Sequence, residues 1–437
     1  YLWVQLDQNV RAKDSDAYKI STGKMRNKLN FSSMKPGFIY GDKDAFDILN
    51  DFDGGFNIEE VVAIDGRKLN YVINKTMMRI DLEKPLRSKS KTSISIRWNY
   101  KVQDRMFMGG RSGYEFFETD SNYLYTICQW FPRMAMYNDV YGWQNKQFLG
   151  RGEFTLDFGD YDVRITVPAD HIVASTGELQ NMMEVLTKEQ INRYKTSKTA
   201  KSPMIIISQG EAIKNEKSRS KKVKTWRYKA KNVRDFAFTS SRKFIWDAMG
   251  VKVGNRTVMA MSYYPKEANP LYEKYSTRAV AHTLNVYSKY TFNYPYPVAI
   301  SVEAANGMEY PMICFNYGRP QEDGTYSERI KYGMISVIIH EVGHNYFPMI
   351  VNSDERQWTW MDEGLNTYLQ FLTEQEWDKD YPSRRGPAKN IVNYMKGDKN
   401  NLMPIMTNSE SIYQFGNNAY GKPATALNIL RETIVGR

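Results

Sequence analysis

Histidine and cysteine are scarce in this chain, with four and two residues among 437. Cys128 and Cys314 lie far apart, which excludes a disulfide framework and a cysteine-based metal spacing and leaves two buried free thiols as the expectation. Long apolar runs are missing too. No stretch approaches the roughly 18 uninterrupted apolar residues of a membrane-spanning helix, and no internal repeat or low-complexity segment is visible. No secretory signal is visible either, but the chain opens without methionine on the strand-like run Tyr1-Leu2-Trp3-Val4-Gln5-Leu6 and stops at Ile434-Val435-Gly436-Arg437, within a helical pattern. Both ends are therefore expected to be cut from a longer polypeptide, and the missing signal excludes nothing. Acidic residues are outnumbered, 49 against 60 Lys and Arg, for a net charge of +11. The basic excess is densest from Lys214 to Arg234, where Trp226 and Tyr228 alternate with lysine and arginine. That is the pattern of a strand with one solvated cationic face, so no nucleic-acid partner is expected.

What is present is ordinary for a globular protein of two or three domains: 42% hydrophobic and 25% charged residues. The first half reads as β-structure. Thr92 to Tyr100 and Phe154 to Phe158 alternate apolar and polar residues, and Val163 to Val167 runs to Pro168. Turn clusters at Asn50 to Gly55 and Gly109 to Gly113 separate such runs. Beyond Phe238 the period changes. Helical spacing covers Tyr275 to Tyr290, Met334 to Ile350 and Glu363 to Trp377. The expectation is a multidomain α+β chain, with an antiparallel β domain over 1–240 and a catalytic domain of a small sheet and helices over 241–437.

Two of the four histidines stand together in His340-Glu341-Val342-Gly343-His344, and eighteen residues separate His344 from Glu363. Positions i and i+4 of a helix lie about 40° apart around its axis, so both imidazoles project from one face. A carboxylate from a second helix completes a set of three ligands and leaves a fourth position for water, the arrangement of a catalytic zinc. Glu341, beside the first ligand, is placed to take a proton from that water. One Zn²⁺ per chain is expected, held by His340, His344 and Glu363.

Three further segments accompany this motif: Gly307-Met308-Glu309-Tyr310 before it, Tyr420-Gly421-Lys422-Pro423 after it, and Thr126 to Arg133 around Gln129 in the β half. Together they resemble the aminopeptidase N family of gluzincins, which also includes the leukotriene-forming epoxide hydrolase, over nearly the whole chain and in the family's domain order. The resemblance implies a thermolysin-like catalytic domain and peptide substrates with a free N-terminus. It implies Glu341 as general base, Glu309 as the grip on the substrate's α-amino group with Gly307 and Met308 beside it in the substrate-binding segment, Tyr420 as support for the oxyanion, and Gln129 as a polar residue near the amine. The chemistry asks for the same types: developing negative charge needs a Lewis acid and a hydrogen-bond donor, and an ammonium needs a carboxylate in a water-poor cleft.

Some positions depart from the family pattern. Asn306 replaces a glycine and Tyr310 an asparagine around Glu309, the tyrosine resembling a bacterial branch of the family, and Asn345-Tyr346-Phe347 follows the second histidine where Gln-Trp-Phe is usual. The family's C-terminal helical domain would lie beyond Arg437. Bacterial members of this type often carry export signals, so the periplasm or cell envelope is the expected location, with the cytoplasm as alternative. Two other functions remain open on the residues alone: a thermolysin-like endopeptidase, which has no use for an amine-binding Glu309, and a peptidase-fold binding or structural subunit of a larger envelope assembly. His171 and His282 are expected to lie outside the chemistry.

Overall fold

The computed structural model of the chain describes residues 1–20 and 52–436. Asn50 and Asp51 of one expected turn, and Arg437, lie outside the described residues. The protein is of mixed α+β type and divides into two compact units, one made of residues 1–115 with 127–157 and the other of residues 116–126 with 158–437. Residue 240 lies inside the second unit, within the strand Phe238–Ser241.

In the first unit the opening strand Leu2–Gln5 is the third of four antiparallel strands, in the order Tyr71–Asn74, Met77–Ile80, Leu2–Gln5, Arg133–Met134. A separate two-stranded ladder joins Asn57–Ala63 to Ile94–Asn99. Val4, Leu6, Phe56, Val61, Met78 and Ile80 form the buried core, with Trp98 and Tyr100 packed against it. The alternation from Phe154 to Phe158 does not produce a strand. Phe154, Thr155 and Leu156 are all buried outside any ladder, and Gln5 Nε2 donates to the Thr155 carbonyl. A segment enclosed on both sides has no solvent face for the alternation to sort.

The second unit carries the long hairpin-like ladder of Gly159–Pro168 with Val223–Val233. Trp226, Tyr228 and Ala230 face inward there, and Arg227 and Lys229 on the outer face share Asp162. Ile172–Ser175 and Phe238–Ser241 pair antiparallel and lead into the hairpin around residues 116–126. Fully buried Lys243 helps hold that hairpin, pairing with Asp120, with Glu216 at 3.1 Å and with Glu267 at 2.9 Å.

The element that positions the site is a six-stranded sheet in the order Met204–Ile207, Ile245–Val253, Arg256–Tyr264, Val298–Glu303, Ile313–Asn316, Gly307–Tyr310. Its middle pairs are parallel, and the last strand turns back antiparallel at the edge, with Glu309 opposite Cys314. The parallel step from Arg256–Tyr264 to Val298–Glu303 is made by the helix Leu271–Tyr290, whose Val280, Leu284 and Tyr287 are buried, as a parallel crossover demands. The next helix, Glu328–Gly343, starts at Ser327, whose hydroxyl accepts from the Ile330 N–H. It stops at Gly343 rather than at Ile350: the Asn345 and Tyr346 N–H groups turn to the Val342 and Gly343 carbonyls, three residues back in place of four. Among the described residues no helix is long and apolar enough to cross a membrane.

Candidate metal centre

His340 lies in the last turn of the Glu328–Gly343 helix, and His344 caps it in right-handed helical conformation, its N–H donating to the His340 carbonyl at 3.1 Å. The i, i+4 relation therefore survives the end of the helix. The two rings meet edge to face, with centroids 4.6 Å apart. Glu363 sits in a single π-helical turn, Trp360–Gly364, that leads into the helix Leu365–Trp377. Such turns rotate one residue out of the normal helical sequence and recur at functional positions. A second π turn, Gly416–Gly421, carries Tyr420 into the helix Lys422–Ile429.

Two glycines let these elements close on one another. A Cβ on Gly343 would stand 2.5 Å from Tyr287 Cζ and closer still to the Tyr287 hydroxyl and Asn366 Oδ1. A Cβ on Gly364 would stand 2.5 Å from Pro423 Cγ. The bare backbone at 343 lets Asn366 reach the His340 carbonyl, to which it donates at 2.8 Å. The bare backbone at 364 lets the Pro423 helix approach until the Tyr420 hydroxyl donates to Glu363 Oε1 at 2.6 Å. The Tyr420 ring also lies against that of His340, centroids 5.7 Å apart and planes at 25°.

His340 Nε2, His344 Nε2 and Glu363 Oε2 converge. The nitrogens are 3.1 Å apart, and the carboxylate oxygen is 3.1 Å from the first and 3.3 Å from the second. The far sides of both rings face acceptors: His340 Nδ1 faces Gln370 Oε1 at 2.9 Å, and His344 Nδ1 faces the Phe347 carbonyl at 2.9 Å with Asp362 Oδ1 at 2.8 Å. With a proton on each Nδ1, both Nε2 lone pairs point at an anionic oxygen, a cluster of electron pairs that a cation resolves. Bonds of about 2.0–2.1 Å in a tetrahedron set donor atoms roughly 3.3 Å apart, close to the spacing found. The donor set thus fits a zinc ion. Burial works against charge on Glu363, but His344 and His340 outweigh it and hold its carboxyl far below the ordinary range.

Of the other expected residues, those of the second unit lie near this cluster. Glu341 is buried in the same turn, and Gly307 on the sheet-edge strand adjoins it: a Cβ there would stand 3.1 Å from Glu341 Oε1. Met308 is buried in that strand, and Glu309 follows it, with a carboxylate oxygen within 4.8 Å of a ring nitrogen of His344 and an oxygen of Asp362. Burial pushes the Glu309 carboxyl well above its ordinary range, with His344 pulling the other way. Among the described residues its carboxylate has no hydrogen-bond or salt-bridge partner. Gln129 belongs to the first unit, where it adopts a positive φ and its amide donates to Glu153 Oε2 at 3.0 Å. His171 bonds Ser240 Oγ at 2.8 Å, and burial, with Arg242 nearby, lowers its pKa to about 4. His282 faces the Thr373 carbonyl at 2.9 Å. Both cysteines are buried, and neither forms a disulfide among the described residues.

Asp362, Asn366 and Gln370 were not anticipated. Their spacing held a signal: Asn366 and Gln370 stand three and seven residues after Glu363 and share its face of the helix.

No family model and no curated protein matches the sequence. Solved structures do. The M1 zinc metallopeptidase of Deinococcus radiodurans matches with a TM-score of 0.54 at 16% identity, over 86% of this chain and 72% of that one. A glutamate-to-alanine mutant from the same organism, bound to a Tyr-Ser-Ala substrate, matches with a TM-score of 0.52 at 16% identity, over 86% and 73%. A two-domain M1 zinc metallopeptidase mutant bound to L-arginine also matches at 0.52 and 16% identity, over 86% and 72%. The likeness is one of backbone course rather than of sequence: this chain has the fold of the M1 zinc metallopeptidases.

Proposed function

We propose that the protein is a zinc-dependent aminopeptidase that removes N-terminal residues from peptides. The observation that carries this reading is the trio of His340 Nε2, His344 Nε2 and Glu363 Oε2, spaced 3.1–3.3 Å apart with both Nδ1 atoms facing acceptors. These three residues would hold one zinc ion, which supplies Lewis acidity toward the scissile carbonyl and acidifies a water. Glu341 takes the proton of the attacking water and passes it to the departing amine. Tyr420, whose hydroxyl already lies on the Glu363 carboxylate, is the donor available to the oxyanion. The unpartnered Glu309 carboxylate, buried at the sheet edge, suits a substrate ammonium, because an enclosed anion is stabilised most by a cation that brings its own hydrogen bonds. Gly307 keeps the strand close to Glu341, so that the first peptide bond lies along that edge.

Elemental analysis should find one zinc per chain, and 1,10-phenanthroline should abolish hydrolysis of aminoacyl-p-nitroanilides. The Ala, Leu, Met, Lys and Arg derivatives form the panel, and their acetylated counterparts should be inert. Absence of zinc, with no gain on adding it, would sink the catalytic reading. Equal cleavage of blocked and free substrates would replace the aminopeptidase with an endopeptidase.

A further inference from the structure

A cavity of about 340 Å³ opens beside the metal cluster, and His340, Glu341, Tyr420, Arg384 and Arg385 are among the residues that line it. Gly333 and Val337 of the Glu328–Gly343 helix line it as well. Gly307, Met308 and Glu309 do not line it. Glu341 therefore has the sheet-edge strand on one side and this cavity on the other. If the substrate's amine is held at Glu309, the part of the peptide beyond the scissile bond enters the cavity.

The two arginines come from the loop after the Leu365–Trp377 helix, and both are exposed. Arg385 lies over the Tyr420 ring, 4.2 Å from its centroid. Among the described residues neither guanidinium has a carboxylate partner. The nearby carboxylate in the cavity wall, Glu374, is committed elsewhere: it accepts from Ser336 Oγ and Gln370 Nε2, each at 2.8 Å, and from Ser383 Oγ. Those bonds fix the loop. Gln370 joins His340 to Glu374, Glu374 joins Ser383, and Ser383 precedes the arginine pair, so a continuous chain of hydrogen bonds runs from a metal-ligating ring to the loop. Gly386 seats the other side of the loop on the Leu365–Trp377 helix, where a Cβ would stand 2.8 Å from Phe371 Cβ. The loop is thus tied down beside the cavity, and the two arginines it brings there have no carboxylate partner among the described residues.

We propose that Arg384 and Arg385 form a carboxylate-recognising subsite for the leaving side of the substrate, so that the enzyme favours peptides with a negative charge just after the cleaved bond. This rests on the aminopeptidase reading above and names the substrate class of that site. The carboxylate has two sources, the free C-terminus of a dipeptide or the side chain of an acidic second residue. Both present the planar pair of oxygens that a guanidinium binds.

The test compares four substrates that share the N-terminal residue, Xaa, best cleaved as its p-nitroanilide: Xaa-Ala, Xaa-Ala-amide, Xaa-Asp-amide and Xaa-Lys-amide. Wild-type protein should cleave Xaa-Ala or Xaa-Asp-amide with a kcat/KM about tenfold or more above Xaa-Ala-amide, with Xaa-Lys-amide poorest. Preference for Xaa-Ala assigns the subsite to the C-terminus, and preference for Xaa-Asp-amide assigns it to a side chain. The preference should disappear in Arg384→Ala/Arg385→Ala, weaken mainly through KM in Arg384→Ala, and return in part in Arg384→Lys. In Arg384→Ala the kcat/KM for the preferred carboxylate substrate should fall about tenfold relative to that for the p-nitroanilide, which carries no carboxylate on its leaving side. Turnover of the anilide with no preference for either carboxylate, or a preference that survives in the double variant, refutes the subsite alone. No turnover of any substrate, the anilide included, refutes the aminopeptidase reading and the subsite with it.

Discussion

Replacing Gly343 by alanine separates local from tertiary control of the metal centre. In an isolated helix this change is favourable by about 1 kcal/mol, because alanine loses less backbone entropy than glycine. Here the new Cβ would stand 2.5 Å from Tyr287 Cζ, where ordinary contact begins near 3.4 Å, so something must move by nearly an ångström. Tyr287 and Asn366 are both fully buried, and the Tyr287 hydroxyl donates to Asn366 Oδ1 at 2.8 Å. Overpacking of this kind costs about 1–3 kcal/mol, and a buried hydrogen bond left unmade costs about 1–3 kcal/mol more. Net of the helix term, Gly343→Ala should destabilise the protein by roughly 1–5 kcal/mol. Asn366 also donates to the His340 carbonyl, so the variant should give up metal more readily. Urea denaturation of the metal-stripped protein measures the first effect, and competition with a chelator measures the second. A variant as stable as wild type or more so, holding metal equally well, would show that the close approach of these helices does not shape the site.

Glu341→Gln should keep one zinc per chain and lose turnover by several orders of magnitude in a p-nitroanilide assay, since it removes the proton acceptor and no ligand. Glu309→Ala should lower kcat/KM for free aminoacyl substrates by about one to two orders of magnitude, the worth of a charge-assisted hydrogen bond, with zinc content unchanged. His171, lowered to about 4 by burial and by Arg242, is neutral in the folded protein at pH values where the unfolded chain, near 6.5, already takes up a proton. Unfolding therefore binds a proton in that window, and stability falls as pH drops from about 6.5 toward 4, by at most roughly 3 kcal/mol from this group. His171→Gln should flatten that part of a stability-against-pH curve measured by denaturant titration.

The local pattern of side chains was enough to read the helices that carry the chemistry and the cationic outer face of the Val223–Val233 strand. Apolar and polar residues alternate there with a period that only one backbone conformation satisfies, and i, i+4 spacing brings His340 and His344 to one face whatever surrounds them. The pairing of those histidines with Glu363 was legible because it needs only residue types and order. Periodicity failed at Phe154 to Phe158, where burial on both sides removes the contrast it depends on. Local spacing could not reveal that Glu363 and Tyr420 ride on π turns, nor that Pro423 presses on Gly364 to bring the Tyr420 hydroxyl onto Glu363. Nor could it show that Gln370 and Glu374 tie His340 to the loop that brings Arg384 and Arg385 to the cavity wall. The sequence by itself determined which groups could meet a metal, because ligand chemistry is a property of side chains and helical spacing. Tertiary structure alone decided their mutual distances, their hydrogen-bond partners and the charge of the adjoining cavity, because those depend on how closely separate helices and loops pack.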